Sequence, residues 1–174
     1  MKFAFIDAIT ELTPGERIVT VKAVTLAEDY FADHFPTFPV LPGVLMLQAM
    51  VESAGWLVRH TLDFAPIVIL LREARNVTYK SFVRPGQLLR LEVTCRGLSD
   101  SDSDFSGIGY CDQTEVVKGR FSLRHVSVTD QERQGRSTAD RIVKEARARF
   151  ALLLRRRDGV PCAVVDAPSQ DSLT

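Results

Sequence analysis

The stretch HFPTFPVLPGVLMLQAMVESAGW, residues 34–56, decides the fold of this chain. It begins as a proline-rich loop that carries His34 and continues as a helix whose apolar residues lie on every side. A helix of this kind has no face suited to water, so the rest of the domain must surround it. The chain up to about residue 126 supplies strand-like segments for this purpose and almost no second helix.

Several segments are predicted strands because they are rich in β-branched residues or alternate between apolar and polar side chains. They are residues 17–25, 67–79, 88–96, 105–112 and 115–126, with residues 2–12 as a further strand or a short lead-in. We expect segment 67–79 to start as a fully buried strand and residues 97–104 (GLSDSDSD) to form a polar hairpin tip. Consecutive hairpins around one helix predict an α+β domain with a strongly curved antiparallel sheet.

The composition changes at about Thr129, which divides the chain into a domain of residues 1–129 and an extension of residues 130–174. Within the extension, residues 137–157 predict a helix that is N-capped at Ser137. Its seven basic and two acidic side chains either dock an acidic partner or form the solvated face of a helix packed on the sheet or on a dimer mate. We expect a flexible tail after Gly159.

Composition and charge exclude several classes of function. The 174 residues have zero formal charge and a pI near 6.8, so the overall charge favours neither nucleic acid nor a membrane surface. Early charged residues exclude a signal peptide, and the longest apolar run is too short to span a bilayer, so we expect a cytoplasmic protein without a transmembrane segment. The cysteines are widely spaced without nearby histidines, which predicts no metal site. No cofactor is expected, because the GxG at residues 107–109 lies inside a strand.

The candidate chemistry lies where the proline-rich loop enters the helix. Pro42 and Gly43 leave backbone N–H groups free at the positive end of the helix dipole, where a carbonyl oxygen or its enolate is stabilised. His34 is a candidate base near neutral pH, and Gln48 and Glu52 share one helical face. These groups fit proton abstraction next to a carbonyl, and the alternative is a core histidine beside a structural turn.

The pattern H-F-P-x-x-P-x-x-P-G-V-L at residues 34–45 resembles the signature of the bacterial 3-hydroxyacyl-[acyl-carrier-protein] dehydratases of fatty acid synthesis. The similarity extends from Phe5 to about Leu123 and includes ITELTPGERIVTVKAVT before the motif and SFVRPGQLLRLEVT after it. The resemblance implies a single hotdog fold, in which a long helix lies inside an antiparallel sheet. It also implies homodimers or higher oligomers, active sites at the dimer interface, and an acyl carrier protein as the partner that presents the thioester.

The resemblance also implies roles for particular residues. His34 would handle the proton at the substrate α-carbon, and the N–H of Gly43 would polarise the thioester carbonyl. The family places an acidic residue of the other subunit fourteen positions after the histidine, and here that position is Gln48. A glutamine amide holds a hydroxyl or a water but cannot deliver a proton as a carboxylic acid does. Losing general acid catalysis typically lowers a rate by about 10² to 10⁴.

Three functions are weighed, and the retained His34 and Pro-Gly loop favour the first. The first is dehydration of 3-hydroxyacyl thioesters to trans-2-enoyl thioesters, with Glu52 or a water held by Gln48 replacing the usual acid. The second is a catalytically weak hotdog subunit that binds acyl chains or completes a heterodimer, and the third is a hotdog thioesterase in which Glu52 activates water. Glu52 can alternatively be a buried carboxylate paired with His34 or an arginine.

The remaining candidate residues would bind the acyl chain and its carrier. The apolar side chains that could form the walls of a substrate tunnel, or else ordinary core, are Phe38, Leu41, Pro42, Met46, Trp56 and Phe82. A basic rim is expected near the tunnel mouth because acyl carrier proteins are acidic. The candidates for this rim, which can also be ordinary solubilising residues, are Arg72, Arg75, Lys80 and Arg84.

Overall fold

The computed structural model describes residues 4–126, 136–154 and 163–164. Its elements begin with two strands and a short 3-10 turn at Asp29–Phe31, followed by the predicted helix. The strands and helices in chain order are β1 (Ala8–Thr13), β2 (Arg17–Ala23), α1 (Gly43–Thr61), β3 (Val68–Tyr79), β4 (Leu88–Leu98), β5 (Asp102–Cys111), β6 (Thr114–Val126), α2 (Arg136–Leu153) and β7 (Ala163–Val164).

One sheet contains all the strands, in the order β3-β6-β5-β4-β2-β1-β7. Strands β1 to β6 pair antiparallel, and β4, β5 and β6 form two long consecutive hairpins. β7 pairs parallel to β1 through Ala163 and Val164. The predicted architecture, an α+β domain with an antiparallel sheet around a central helix, is therefore confirmed.

Helix α1 lies against the inner face of the sheet and forms the centre of the core. Its residues Ser53–Val58 are all buried, and Met50 and Ala54 have no exposed surface. The helix lies close to the sheet at Gly107 of β5, where an added Cβ would lie 2.7 Å from the sulfur of Met50. Gly107 thus permits close packing of the helix on the sheet, whereas Gly109 permits close packing against neighbouring strands.

Strand β3 forms as predicted, but the expectation that it starts fully buried is wrong. It is an edge strand that pairs only with β6 among the described residues. Its apolar side chains Val68, Leu70 and Leu71 are between 41% and 53% exposed. An apolar run indicates burial only when a second layer covers the strand, and the described residues leave these three side chains uncovered.

The hairpin between β4 and β5 is longer than predicted, because both strands continue into the polar stretch. Gly97 pairs with Asp104 and Leu98 with Ser103, so that only residues 99–101 form the tip. The side chains of this stretch alternate, so that Asp104 is exposed to water whereas Ser103 is 1% exposed and contacts Nε2 of His125 at 2.8 Å.

Helix α2 packs on the outer side of α1, where Phe150 and Leu153 join the core. The helix begins at Arg136, one residue before the predicted N-cap, and ends at Leu153. The predicted boundary near Thr129, residues 155–157 of the predicted helix and most of the predicted tail lie outside the described residues. The described part of that tail, Ala163–Val164, is paired with β1. Neither described helix is both long and apolar enough to cross a membrane.

Candidate active site

A cavity of about 530 Å³ opens between the proline-rich loop, the start of α1 and the end of β3. It brings together His34 and Gly43, the two residues that sequence reasoning placed at the centre of the chemistry. The other residues that line it are Val40, Leu41, Met46, Tyr79, Lys80, Ser81 and Phe82.

His34 is fixed in one tautomer by its loop. Its Nδ1 lies 2.9 Å from the carbonyl oxygen of Val40. A carbonyl oxygen only accepts hydrogen bonds, so Nδ1 carries the proton and Nε2 of the neutral imidazole is the basic nitrogen. The loop bends sharply at the next residue, since Phe35 adopts a left-handed backbone with a φ of 60° and its ring lies 4.4 Å from the imidazole. The half-buried imidazole is thus held as a base.

Gly43 begins helix α1, and no side chain caps this end of the helix. Its backbone N–H belongs to the first turn, which has no intrahelical acceptor and lies at the positive end of the dipole. The ring of Tyr79 lies so close that a Cβ at position 43 would be 3.1 Å from it. Glycine at this position therefore allows the end of β3 to close one wall of the cavity.

Gln48 and Glu52 share one face of α1 but have different surroundings. Gln48 is exposed and does not line the cavity of its own chain. The side chain of Glu52 is only 18% exposed, and its Oε2 accepts a 2.9 Å hydrogen bond from the backbone N–H of Phe5. Its Oε1 accepts a 3.3 Å hydrogen bond from Arg149 of α2. The structure thus places Glu52 in contact with the segment before β1 and with α2, and Glu52 does not line the cavity. Its predicted catalytic role stays a prediction.

The aromatic residues on the same side of α1 lie under α2. The ring of Phe150 lies 5.9 Å from that of Trp56, 5.1 Å from that of His60 and 5.5 Å from that of Phe64. Trp56 does not line the cavity, although it was a predicted substrate contact. Burial lowers the pKa of His60, because the charged imidazolium loses its hydration there.

The other predicted substrate contacts lie at or near the cavity. Leu41 and Met46 are buried in its wall, and Phe82 lies at its mouth with 64% of its surface exposed. Phe38 packs edge-to-face against Phe82 with the ring centroids 5.9 Å apart. Pro42 precedes the first residue of α1 but does not line the cavity.

The four predicted carrier contacts separate into two groups. Lys80 lines the cavity and Arg84 lies 4.6 Å above the ring of Phe38, so both are at the mouth. Arg72 and Arg75 are instead on the exposed β3 strand, where they form ion pairs with Asp102 and Glu73.

Sequence reasoning missed Tyr79 as a wall of the cavity and named Lys80 only as a carrier contact. Both lie at the end of β3, but the contact of Tyr79 with Gly43 and the shared cavity wall join residues far apart in sequence. Among the described residues, no group of three or more histidine, cysteine, aspartate or glutamate side chains is arranged to hold a metal ion.

A domain family described as FabA-like matches residues 1–120, which is well over half of the chain. The chain belongs to the FabA-like domain family. Within this family, the FabA-like chain is similar to curated proteins named 3-hydroxyacyl-[acyl-carrier-protein] dehydratase FabZ. The predicted resemblance to these dehydratases is confirmed.

Three of these relatives show the extent of the similarity. The protein from Lactiplantibacillus plantarum is 40% identical over 89 residues, which cover 51% of this chain and 60% of the relative. The protein from Rhizorhabdus wittichii is 35% identical over 119 residues, which cover 67% of this chain and 76% of the relative. The protein from Solibacter usitatus is 38% identical over 123 residues, which cover 70% and 75%. The FabA-like chain thus spans between 60% and 76% of the length of these relatives.

Solved structures confirm the fold. The dehydratase heterocomplex ApeI:P from Xenorhabdus doucetiae aligns with a TM-score of 0.59 at 16% identity, covering 71% of this chain and 84% of that one. The protein smu.793 from Streptococcus mutans, bound to acetyl CoA, aligns with a TM-score of 0.54 at 12% identity, covering 73% and 93%. The FabA-like chain has the predicted hotdog fold.

Proposed function

We propose that this chain dehydrates 3-hydroxyacyl thioesters carried by an acyl carrier protein to trans-2-enoyl thioesters, as a step in fatty acid or related lipid synthesis. The observation that carries the proposal is that one cavity is lined by both His34, held as a neutral base, and Gly43 at the uncapped start of α1. Similarity to proteins named for this reaction supports it.

The reaction follows from these two groups. The thioester carbonyl accepts a hydrogen bond from the N–H of Gly43, so that the negative charge developing on its oxygen meets the positive end of the helix. This stabilises the enolate and makes the α-proton more acidic. Nε2 of His34 takes the α-proton, and the electrons of that C–H bond form the double bond as the 3-hydroxyl departs. The departing oxygen needs a proton to leave as water.

The active unit in this proposal is a dimer. Gln48 is exposed on its own chain, and in this proposal it enters the cavity of the second copy and holds the substrate hydroxyl. The unpaired apolar edge of β3, with Leu70 53% exposed, supports pairing between two copies at this strand. Each copy would then cover the apolar strand of the other.

The carrier would approach at the mouth of the cavity, in a cytosolic setting. Lys80 and Arg84 are the cations at this mouth, and they would attract the acidic surface of an acyl carrier protein. Phe38 and Phe82 would contact the part of the substrate that enters between them.

The test uses purified protein with a 3-hydroxyacyl carrier substrate and separate detection of enoyl product and free thiol. We expect enoyl product from the parent chain and a loss of at least about 10² in rate for His34→Ala, which removes the base. Asp33→Ala, an exposed neighbour in the same loop, is the matched control and keeps the parent rate. Free thiol without enoyl product would show a thioesterase instead and refute the proposal.

A catalytically weak subunit is the second candidate function. The exposed amide of Gln48 and the engagement of Glu52 with Phe5 and Arg149 favour it, since neither residue brings a carboxylate to the cavity of its own chain. In that case the chain alone is inert, and activity requires a hotdog homologue with an acid at the position of Gln48. Loss of the mixed activity in His34→Ala would show that this chain supplies the base.

A further inference from the structure

The proposed reaction leaves one proton unassigned, because the 3-hydroxyl cannot depart efficiently as hydroxide. An amide at Gln48 has no acidic proton to give, and Glu52 accepts two hydrogen bonds elsewhere. Within the part of the chain that the structure describes, the ionisable side chains that line the cavity are His34, Tyr79 and Lys80. His34 is occupied as the base, so the donor must be sought at the end of β3.

Lys80 is firmly placed at this wall. Its backbone N–H donates a 2.8 Å hydrogen bond to the carbonyl oxygen of Val116 on β6, which fixes the root of the side chain. Its Nζ lies 2.8 Å from Oε1 of Glu115, whose side chain is only 28% exposed. That oxygen is buried and accepts no well-aligned hydrogen bond from the described residues. The carboxylate therefore holds the ammonium by charge, and because an ammonium has three N–H donors, one carboxylate oxygen does not use all of them.

We propose that Lys80 is the general acid of this site and gives its proton to the departing 3-hydroxyl. This inference rests on the proposed dehydration. Nε2 of His34 takes the α-proton, the C–H electrons form the Cα–Cβ double bond, and the electrons of the broken C–O bond stay with oxygen. That oxygen takes a proton from the Lys80 ammonium and leaves as water. The neutral amine regains a proton from solvent, and His34 returns its proton to solvent, so the site is restored without any other reactant.

Tyr79 is the weaker donor of the two. Burial raises the pKa of its phenol, which makes the hydroxyl less willing to give up a proton. The phenol is also neutral, whereas an ammonium places a positive charge beside the oxygen on which negative charge develops. Tyr79 instead forms the wall against Gly43.

The experiment compares leaving groups, using small N-acetylcysteamine thioesters that need no carrier docking. Fluoride departs without a proton, so a 3-fluoroacyl thioester tests the base and Gly43 but not the acid. We expect Lys80→Met to lower elimination of the 3-hydroxyl by about 10² or more. The same variant should eliminate fluoride at the parent rate within about threefold. Lys80→Arg keeps the charge but cannot release a proton, so it should not restore elimination of the hydroxyl.

Control variants distinguish proton donation by Lys80 from a general loss of positive charge and from misfolding. Lys118→Met removes an exposed lysine of β6 that does not line the cavity, and it should leave both eliminations unchanged. Lys80→Met leaves the Glu115 carboxylate unpaired, so the double variant with Glu115→Gln controls for misfolding and should show the same selective loss. Equal loss on both substrates, or no loss on the hydroxyl substrate, would overturn the role of Lys80. Absence of His34-dependent fluoride elimination in the parent would instead overturn the proposed dehydration itself.

Discussion

Replacing Glu52 tests whether its carboxylate stabilises the fold or acts as the general acid of the site in place of position 48. Glu52→Ala removes the acceptor for the Phe5 N–H, a hydrogen bond to a charged group that contributes about 1.5–3 kcal/mol. It also removes the ion pair with Arg149, which adds only about 0–1 kcal/mol because the arginine side chain is 38% exposed. Together the expected loss is about 1.5–4 kcal/mol, or about 3–16 °C in Tm for a chain of this size. Glu52→Gln keeps an acceptor oxygen for Phe5, so it should lose only about 0.5–1 kcal/mol.

Neither substitution should change the chemistry. Thermal unfolding gives the stability, and initial rates of enoyl formation, measured well below the Tm of every variant, give the activity. We expect Glu52→Gln to keep the parent rate within about threefold, far from the factor of about 10² to 10⁴ that loss of a general acid produces. A loss of that size in Glu52→Gln with an unchanged Tm would refute the reasoning and show that Glu52 is the acid. Arg149→Gln, which removes only the ion pair, is the matched control for stability.

Three further predictions concern α1 and its contacts. Gln48→Glu, made in the Lys80→Met background, should raise the rate of hydroxyl elimination by about 10², because it supplies a carboxylic acid. Gln48→Met in the same background should give no gain. No gain with Gln48→Glu would show that position 48 does not reach a cavity. Phe150→Ala should lower the free energy of unfolding by about 3–5 kcal/mol, because the ring fills the space between three aromatic side chains of α1 and the turn after it. The control is Leu152→Ala, whose side chain is 63% exposed and which should change the free energy of unfolding by less than about 0.5 kcal/mol. Equal losses for Phe150→Ala and Leu152→Ala in denaturant melts would contradict the packing of α2. Burial lowers the pKa of His60, so the unfolded chain binds this proton more readily and stability should be full above about pH 6.5 and fall as the pH drops below it. Unfolding free energies between pH 8 and 5 should therefore depend less on pH in His60→Phe, and identical slopes in the two proteins would contradict this assignment.

The fold could largely be predicted from the sequence, because its signals are local. The apolar run of α1 and the alternation in β4 and β6 specify an inner helix and a half-buried sheet without reference to distant residues. The exposure of β3 could not be predicted from the sequence. A strand that is buried within its own chain and a strand that is left to pair with a second copy have the same run of apolar residues. The polar ends of β4 and β5 resembled a loop because outward side chains of a hairpin and residues of a turn are both hydrophilic.

Of the chemical groups of the candidate site, sequence reasoning predicted those that lie within the motif at residues 34–45. His34 and Gly43 lie within one short stretch whose residue types carry the chemistry, and the structure brings them to one cavity. The contact of Gly43 with Tyr79 joins α1 to the far end of β3, and no periodicity specifies such a pair. The same holds for Glu52, whose hydrogen-bond partners Phe5 and Arg149 are 47 and 97 residues away in the sequence.

The short strand β7 has a consequence for how copies of this chain can assemble. A sheet that is open at both edges can add neighbours on either side and grow into a filament, whereas a sheet with one usable edge can form only a closed pair. Among the described residues, Ala163–Val164 pairs with part of the β1 edge, while β3 offers an edge of twelve residues. Edge pairing through β3 about a two-fold axis would therefore stop at two copies.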